Sequence, residues 1–344
     1  MRTPKSVLPE SLHAKLGDLG AKLEQQIALG REFDGILDEM NGLKASTIVR
    51  ADSEIAYFAN LQKWRRQYPL VVRLFSPRTV DIDQLGRVPN LEYLFLFHRD
   101  GYIREAALNR IASAIPSAFL FAAIAWRLND WVLPVRKAAA ECAFRCFPVT
   151  LPNVIAEAAI ALLARENSWG RWSEERSALA EAFARPDVAE HLAQLICAGR
   201  TGSMATVLRY ALREGSLDGH LERLACEAIQ PAVRATAVQA LIDGYATWPS
   251  GWTWRWVNKP MGIRRRETTY SKRVLEQPAD RARLIEVGAC DRSAIVRRVA
   301  ASSIIQYELE LELGLARKMA ALMMTDKSPS VRERAEFFLK RAAS

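Results

Sequence analysis

Apolar residues recur at three- and four-residue intervals along most of this 344-residue chain, which is the spacing of amphipathic α-helices. The first apolar stripe lies near the N-terminus and consists of Leu8, Leu12, Leu16, Leu19, Leu23 and Ile27. We predict that residues 1–75 form an N-terminal helical cap, because the end units of repeat proteins usually depart from the repeat. Residues 76–90, "SPRTVDIDQLGRVPN", are polar, contain two prolines and are predicted to be a linker.

The rest of the chain contains a repeated segment. "DRSAIVRRVAASSI" begins at Asp291 and "DKSPSVRERAEFFL" begins at Asp326, so these two copies lie 35 residues apart. A third copy, "DWVLPVRKAAAECA", begins at Asp130, and partial copies begin at Asp100 and Gln230. Self-similarity at this period is typical of stacked helix pairs.

Each copy has the features of a helix that packs against its neighbours. The aspartate at its start can cap a helix and satisfy free backbone N–H groups. We therefore expect the valines of the repeated Val-Arg pairs to be buried, and the arginines to form a row that pairs with the preceding aspartate or a neighbouring carbonyl. The residues concerned are Val135, Val233, Val296 and Val331, with Arg136, Arg297 and Arg332.

The aspartate, the Val-Arg or Ile-Arg pair and the alanine after it resemble the second-helix signature of HEAT repeats. The resemblance covers roughly residues 91–344, and residues 150–225 depart from it. It implies an all-α fold: a right-handed α-solenoid of HEAT-like helix pairs, whose surface commonly binds proteins and sometimes nucleic acid. We predict this solenoid over 91–344, with a β-hairpin inserted near 246–274.

The inserted segment, "ATWPSGWTWRWVNKPMGIRRRETTYSKRV", has a different period. Trp252, Trp254 and Trp256 alternate, which places them on one face of an extended strand, with Thr253, Arg255 and Val257 on the other. "NKPMG", residues 258–262, is typical of a turn, and β-formers follow it. These features predict a β-hairpin that projects from the helices.

The charge of the hairpin indicates an anionic ligand. The chain has a net charge of +9, and residues 255–273 contribute seven basic residues against one glutamate. Bases stack on tryptophan and phosphates pair with cations, so this composition suits nucleic acid. The residues predicted to bind it are Trp252, Trp254, Arg255, Trp256, Lys259, Arg264, Arg265, Arg266, Tyr270, Lys272 and Arg273.

Other interpretations of the basic aromatic segments stay open. The tryptophans could fold back to cover the helices, leaving the arginines merely solvated. Binding to an anionic membrane surface is less favoured, because the segment is not an amphipathic helix. A second basic aromatic cluster, "LQKWRRQYP" at residues 61–69, is interpreted as a solvated helix face with Trp64 pointing inward.

The sequence favours a protein that is not an enzyme. It contains no glycine-rich phosphate loop, His-Glu metal motif or Gly-x-Ser-x-Gly elbow, so no catalytic residue, metal site or cofactor is predicted. Trp126 and Asp130 have a spacing similar to that of a tryptophan and the catalytic aspartate in HEAT-like alkylpurine DNA glycosylases. In those enzymes the aspartate stabilises positive charge on a sugar. Base excision is therefore kept as an alternative, although Asp130 is also the structural aspartate of its repeat.

Cysteine usage and apolar runs bear on location. The five cysteines are dispersed, which favours a reducing compartment, and Cys142 and Cys146 are interpreted as buried thiols. The N-terminus has no apolar signal segment, and the longest apolar run, residues 117–126, is about half of what a membrane span needs. We expect a cytoplasmic protein that does not enter membranes. Its predicted function is to bind nucleic acid or a nucleoprotein complex, and the alternative is a scaffold for an acidic protein partner.

Overall fold

A computed structural model describes residues 6–25, 27, 32–61, 84–165, 169–171, 174–276 and 280–343. These residues are mostly helical, and they contain one two-stranded antiparallel sheet. The predictions of a predominantly helical chain and of a β-hairpin near 246–274 are both confirmed. The chain divides into two compact units, residues 1–183 and 184–344.

The first unit packs its helices around a core rich in phenylalanine, in which Phe95, Phe119 and Phe121 are fully buried. The helices of this unit are α1 (Glu10–Glu24), α2 (Glu32–Asn41), α3 (Ile48–Phe58), α4 (Leu91–Phe95), α5 (Gly101–Arg110), α6 (Ala118–Arg127), α7 (Leu133–Cys146), α8 (Pro152–Leu162) and α9 (Arg176–Ala184), of which α9 ends at the unit boundary. Helix α3 contacts α6, and a short 3₁₀ turn at Ala45–Thr47 contacts both α6 and α8.

The predicted domain boundary does not coincide with the division into units. Helices α1 to α3 belong to the predicted cap, yet α3 shares a core with α6, and Asp52 of α3 pairs with Arg127 of α6. Residues 76–83 of the predicted linker lie outside the described residues. The division into a cap at 1–75, a linker at 76–90 and a repeat domain at 91–344 therefore stays a prediction.

The second unit consists of helix pairs with a hairpin inserted between two of them. The elements are α10 (Pro186–Ala198), α11 (Met204–Ala211), α12 (Leu221–Glu227), α13 (Pro231–Asp243), β1 (Tyr245–Asn258), β2 (Ile263–Val274), α14 (Arg281–Ala289), α15 (Ala294–Gln306), α16 (Leu313–Met323) and α17 (Pro329–Ala343). Helices α12 and α13 pack together, as do α14 with α15 and α16 with α17. Helix α15 also contacts α13 and α17.

An Asp-Arg ladder, formed by Arg234, Asp291, Arg297, Asp326 and Arg332, joins α13, α15 and α17. The Arg234 guanidinium donates two hydrogen bonds to the Asp291 carboxylate, at 2.7 and 2.9 Å. Arg297 binds the Asp326 carboxylate in the same bidentate way, and it also donates to the main-chain oxygen of Asp291 at 2.8 Å. Arg332 donates to the main-chain oxygen of Asp326 at 2.6 Å. Arg297 and Arg332 therefore pair with the main-chain oxygens of the preceding aspartates, as predicted.

The same local geometry occurs around Asp130 in the first unit. Arg104 donates to both carboxylate oxygens of Asp130, at 3.0 and 2.8 Å, and Arg136 donates to its main-chain oxygen at 2.9 Å. The prediction that the aspartate caps its helix is confirmed for Asp100, whose carboxylate accepts a hydrogen bond from the N–H of Tyr102 in the first turn of α5. It is wrong for Asp130 and Asp291, which lie two residues before the N-cap residue of the helix that follows. The Asp130 carboxylate accepts the N–H of Val132, which itself precedes α7, so the aspartate closes a turn before the helix and binds the arginine of an earlier helix.

Burial of the repeat valines is confirmed, because Val135, Val233, Val296 and Val331 have 0% exposure. Cys142 and Cys146 are also buried, as expected. No helix in the described ranges is long and apolar enough to cross a bilayer.

Candidate nucleic-acid interface

The hairpin consists of β1 and β2, which pair antiparallel around a four-residue turn. Asn258 pairs with Ile263, and the main-chain N–H of Gly262 donates to the Lys259 oxygen at 3.1 Å. Pro260 fits the second position of such a turn because its φ is fixed. Gly262 has a φ of +67°, which a residue without a Cβ adopts at little cost. The predicted turn at 258–262 is confirmed.

The base of the hairpin is fixed to the second unit by Ala246 and Arg273, which face each other across the strands. Ala246 is fully buried. The Arg273 guanidinium donates to the main-chain oxygen of Leu212 at 2.8 Å and to both carboxylate oxygens of Asp218. Arg273 is therefore an anchor within the protein, and it leaves the set of residues predicted to contact a ligand.

Beyond this base both faces of the hairpin are exposed. The register pairs Trp252 with Thr268, Trp254 with Arg266 and Trp256 with Arg264. Residues directly opposite each other in a sheet share a face, so the tryptophans share theirs with alternate residues of β2. We call this the tryptophan face: Tyr245, Thr247, Pro249, Trp252, Trp254, Trp256, Arg264, Arg266, Thr268, Tyr270, Lys272 and Val274.

The strand has two irregularities that a strict alternation does not predict. The register shifts between Pro249 and Gly251 and again between Trp256 and Asn258, so Ser250 and Val257 are extra residues in β1. Val257 is therefore a bulge residue, where a regular position opposite the tryptophans was expected. Proline at the first shift costs no hydrogen bond that the sheet requires.

The structure separates the three consecutive arginines. Arg264 and Arg266 lie on the tryptophan face, with guanidinium carbons 4.0 Å from the Trp256 ring centroid and 3.9 Å from that of Trp252. Arg265 pairs with Arg255 on the opposite face. A guanidinium stacked on an indole keeps its edge N–H groups available for oxygen acceptors. The stacking also adds about 0.5–1 kcal/mol to the stability of each exposed pair.

Acidic charge is confined to the opposite face. Glu267, which pairs with Thr253, is the acidic residue of the hairpin, and its carboxylate receives a hydrogen bond from Arg255 at 3.2 Å. The tryptophan face thus has Arg264, Arg266 and Lys272 with no acidic residue, whereas Glu267 partly neutralises the other face. The excess positive charge and the indole rings therefore lie on the same face of the hairpin.

The three tryptophans are exposed, at 50% for Trp252, 55% for Trp254 and 41% for Trp256. Trp254 meets Trp252 edge to face, with ring centroids 5.7 Å apart. The interpretation in which these side chains fold back to cover the helices is therefore wrong for all three. Trp248, on the opposite face near the base, is half-buried.

The remaining predicted residues are Lys259, Tyr270 and Lys272, and the last two belong to the tryptophan face. Lys259 lies in the turn, and Tyr270 is 61% exposed on the tryptophan face. Lys272 lies with its Nζ 4.9 Å from the ring centroid of Tyr245, a residue that the sequence did not single out. Its position one residue after Gly244, which ends α13 with a φ of +72°, could have indicated that a strand starts there.

Asp130 does not have the accessibility of a catalytic carboxylate. Its side chain is 1% exposed, and its oxygens accept from Arg104, Arg127 and the Val132 N–H. Burial alone would raise the pKa of Asp130, but the Arg127 and Arg104 guanidiniums outweigh it and lower that pKa below its ordinary value. Trp126 lines a groove of about 730 Å³ in the first unit, and Asp130 is absent from the described residues that line it. This geometry argues against base excision at Asp130.

Residues 62–69 of the second basic aromatic cluster lie outside the described residues. Within the part of the chain that the structure describes, no group of three histidine, cysteine or acidic residues is arranged to hold a metal ion.

Comparison of the sequence with family models and with curated proteins, and of the fold with solved structures, found no match.

Proposed function

We propose that this protein binds single-stranded nucleic acid across the tryptophan face of its hairpin. One observation carries the proposal: three exposed indoles, two of them covered by arginines, share a face from which acidic residues are absent. Every base has a π-face, so indoles bind single strands with little dependence on sequence. The stacked arginines supply donors for the phosphates that follow each base.

The exposure of the tryptophans supports a ligand rather than a structural role. Each indole is a large apolar surface, and exposed contiguous apolar patches usually mark binding sites. Two-stranded hairpins are also marginal in stability on their own. Here the cation–π pairs and the Arg273 anchor hold the hairpin in shape while leaving its upper part in solvent.

We further propose that the helices form a right-handed α-solenoid of HEAT-like pairs that acts as the support for the hairpin. The Asp-Arg ladder of the second unit and its counterpart at Asp130 support this, because the same hydrogen bonds recur at the same repeat positions. In this arrangement the repeats provide rigidity, and the non-repetitive insertion provides recognition.

The test compares two double variants that remove the same charge from opposite faces. Arg264→Gln/Arg266→Gln changes the tryptophan face, and Arg255→Gln/Arg265→Gln changes the other. Binding of labelled single-stranded DNA, single-stranded RNA and duplex DNA is measured by fluorescence anisotropy at several salt concentrations. Each phosphate contact on a single strand contributes about 0.7 to the salt slope, so the first variant should lose about 1.4 from it. The second variant should change the slope less.

A tryptophan variant tests stacking separately from charge. Stacking of one base is worth about 1–3 kcal/mol, so Trp254→Ala should weaken single-strand binding by about fivefold to 150-fold. Ile263→Ala, also an exposed apolar residue of the hairpin at 46% and on the face opposite the tryptophans, is the control and should bind like the parent. Melting temperatures of both should match the parent, because neither side chain is in the core.

Three results would contradict the proposal. Equal losses in the two arginine double variants would show that only net charge matters. Preference for duplex DNA would contradict stacking on the indoles. Binding to poly-glutamate or to anionic vesicles, with none to either single strand, would assign the surface to an acidic protein or a membrane.

A further inference from the structure

A groove at the base of the hairpin continues the tryptophan face into the helical body of the second unit. It has a volume of about 280 Å³ and lies among α11, α13, α15 and the start of β1. Tyr245 and Thr247 form its hairpin side, and both belong to the tryptophan face. A strand that follows the tryptophans toward the base therefore reaches this groove.

The groove has cations from three separate elements around it. Arg209 of α11 and Arg298 of α15 line it, and both side chains are exposed. Lys272 of β2 lies over the Tyr245 ring at its hairpin end. These three cations come from positions far apart in the sequence, and all of them border the groove.

The floor of the groove combines small apolar residues with one polar cluster. Ala232 and Ala235 leave room between the arginines. The Asp243 carboxylate accepts from the Tyr307 hydroxyl at 2.7 Å and from the Gln239 amide at 2.8 Å. Asp243 is the one acidic residue among the described residues that line the groove, and each of its oxygens already accepts one of these hydrogen bonds. The surroundings thus stay net positive, and the second lone pair of each oxygen can accept from base amino groups.

We propose that this groove is the second half of a single-strand binding path, in which Arg209 and Arg298 bind phosphates beyond the segment that stacks on the tryptophans. The inference rests on the proposed function and adds the direction and length of the path. Trp256 and Tyr245 are eleven residues apart in β1, a distance of about 35 Å at the strand rise of roughly 3.3 Å per residue. A stacked strand rises about 3.4 Å per nucleotide, so the whole path takes about ten nucleotides and the tryptophan segment alone takes about four.

A length series of oligothymidylates tests this path. Chains of about 4, 8, 12 and 16 nucleotides, spanning the range of known single-strand sites, are titrated against the parent and against Arg209→Gln/Arg298→Gln. Parent affinity should rise with length to about ten nucleotides, whereas the variant should gain little beyond about four. At the longer lengths the variant should also lose about 1.4 from the salt slope, and at four nucleotides it should lose none.

The control is Arg283→Gln/Lys318→Gln, which removes two exposed charges from α14 and α16 outside the groove. It should follow the parent at every length, and all three proteins should melt together because the altered side chains are exposed. If Arg209→Gln/Arg298→Gln loses the same affinity at four and at twelve nucleotides, the effect is one of general charge, and the proposed path is wrong. If Arg209→Gln/Arg298→Gln binds like the parent at all lengths, the groove is not part of the binding path, and the proposal for the tryptophan face is unaffected. A parent that binds no single strand of any length would remove the proposed function, and the path with it.

Discussion

Replacing Asp291 by asparagine removes one charge from the Asp-Arg ladder with little change in shape. Its carboxylate accepts two hydrogen bonds from Arg234 and one, at 2.6 Å, from the N–H of Ser293. Asparagine keeps one acceptor oxygen and leaves the main-chain oxygen, which binds Arg297, unaltered. What disappears is the negative charge and one of the two acceptors that Arg234 uses.

The expected cost follows from how deeply this ion pair is buried. The Arg234 side chain is 1% exposed and that of Asp291 is 11% exposed. Removing one partner of a buried ion pair usually costs about 3–5 kcal/mol, because the other charge stays in the interior without its counterion. Arg234 keeps its hydrogen bonds to the main-chain oxygens of Ala228 and Ile229, so we expect the lower end of that range. For a folded unit of this size, about 3 kcal/mol corresponds to a melting temperature lowered by about 6–12 °C.

Glu267→Gln provides the control within the same unit. It removes a carboxylate from Arg255, but these side chains are 48% and 72% exposed, and such surface pairs contribute about 0–1 kcal/mol. Both variants and the parent are compared by thermal melts and by urea denaturation, with the urea dependence of the free energy checked for a common slope. If Asp291→Asn and Glu267→Gln lower stability by the same amount, burial of the ladder is not what makes it important, and the reasoning is wrong.

Three further predictions concern the other carboxylates. The hydrogen bond from Arg297 lowers the pKa of Asp326. The Asp326 carboxylate therefore contributes its full stabilisation above the unfolded pKa of about 3.9, and this stabilisation is lost as the pH falls through the lower native pKa. Melting temperatures measured against pH should show that Asp326→Asn makes the curve flatter than that of the parent below about pH 4. Asp218→Asn should weaken the hydrogen bonds that anchor Arg273. Amide hydrogen exchange should then be faster in residues 245–274 and unchanged in α17, and single-strand binding should be weaker. Unchanged exchange in the hairpin would contradict the role of Arg273 as an anchor. Asp130→Asn should lower the free energy of unfolding by about 3–5 kcal/mol in denaturation experiments, well above the roughly 1 kcal/mol of a lost helix cap. Its affinity for oligonucleotides should equal that of the parent. A base-excision activity present in the parent and absent in this variant would refute a purely structural role for Asp130.

The sequence by itself determined the local features of this protein. Apolar spacing of three and four residues identified the helices, and the Val-Arg pairs identified which face is buried, since burial of Val296 and Val331 depends mainly on helical periodicity. The alternating tryptophans and the turn residues near Gly262 identified the hairpin, because side chains alternate between two faces only in an extended strand, and a glycine favours the positive φ of a tight turn. The aromatic and basic composition of the candidate site was also readable.

Only the tertiary structure decided which of these residues work together. Arg273 and Arg264 are similar basic positions in the sequence. Arg273, however, is hydrogen-bonded to Asp218, which lies 55 residues earlier, whereas Arg264 is stacked on Trp256 across the hairpin. The bulge at Val257 sets the register and so determines which arginines join the tryptophan face.

The ladder and the groove depend on long-range contacts in the same way. Asp291 binds Arg234, 57 residues away, because the hairpin is inserted between their helices, and the 35-residue period cannot reveal that pairing. Arg209, Tyr245 and Arg298 line one groove although nearly ninety positions separate the two arginines. Periodicity along a chain reports the face on which a side chain lies, whereas its partner is set by how distant segments pack.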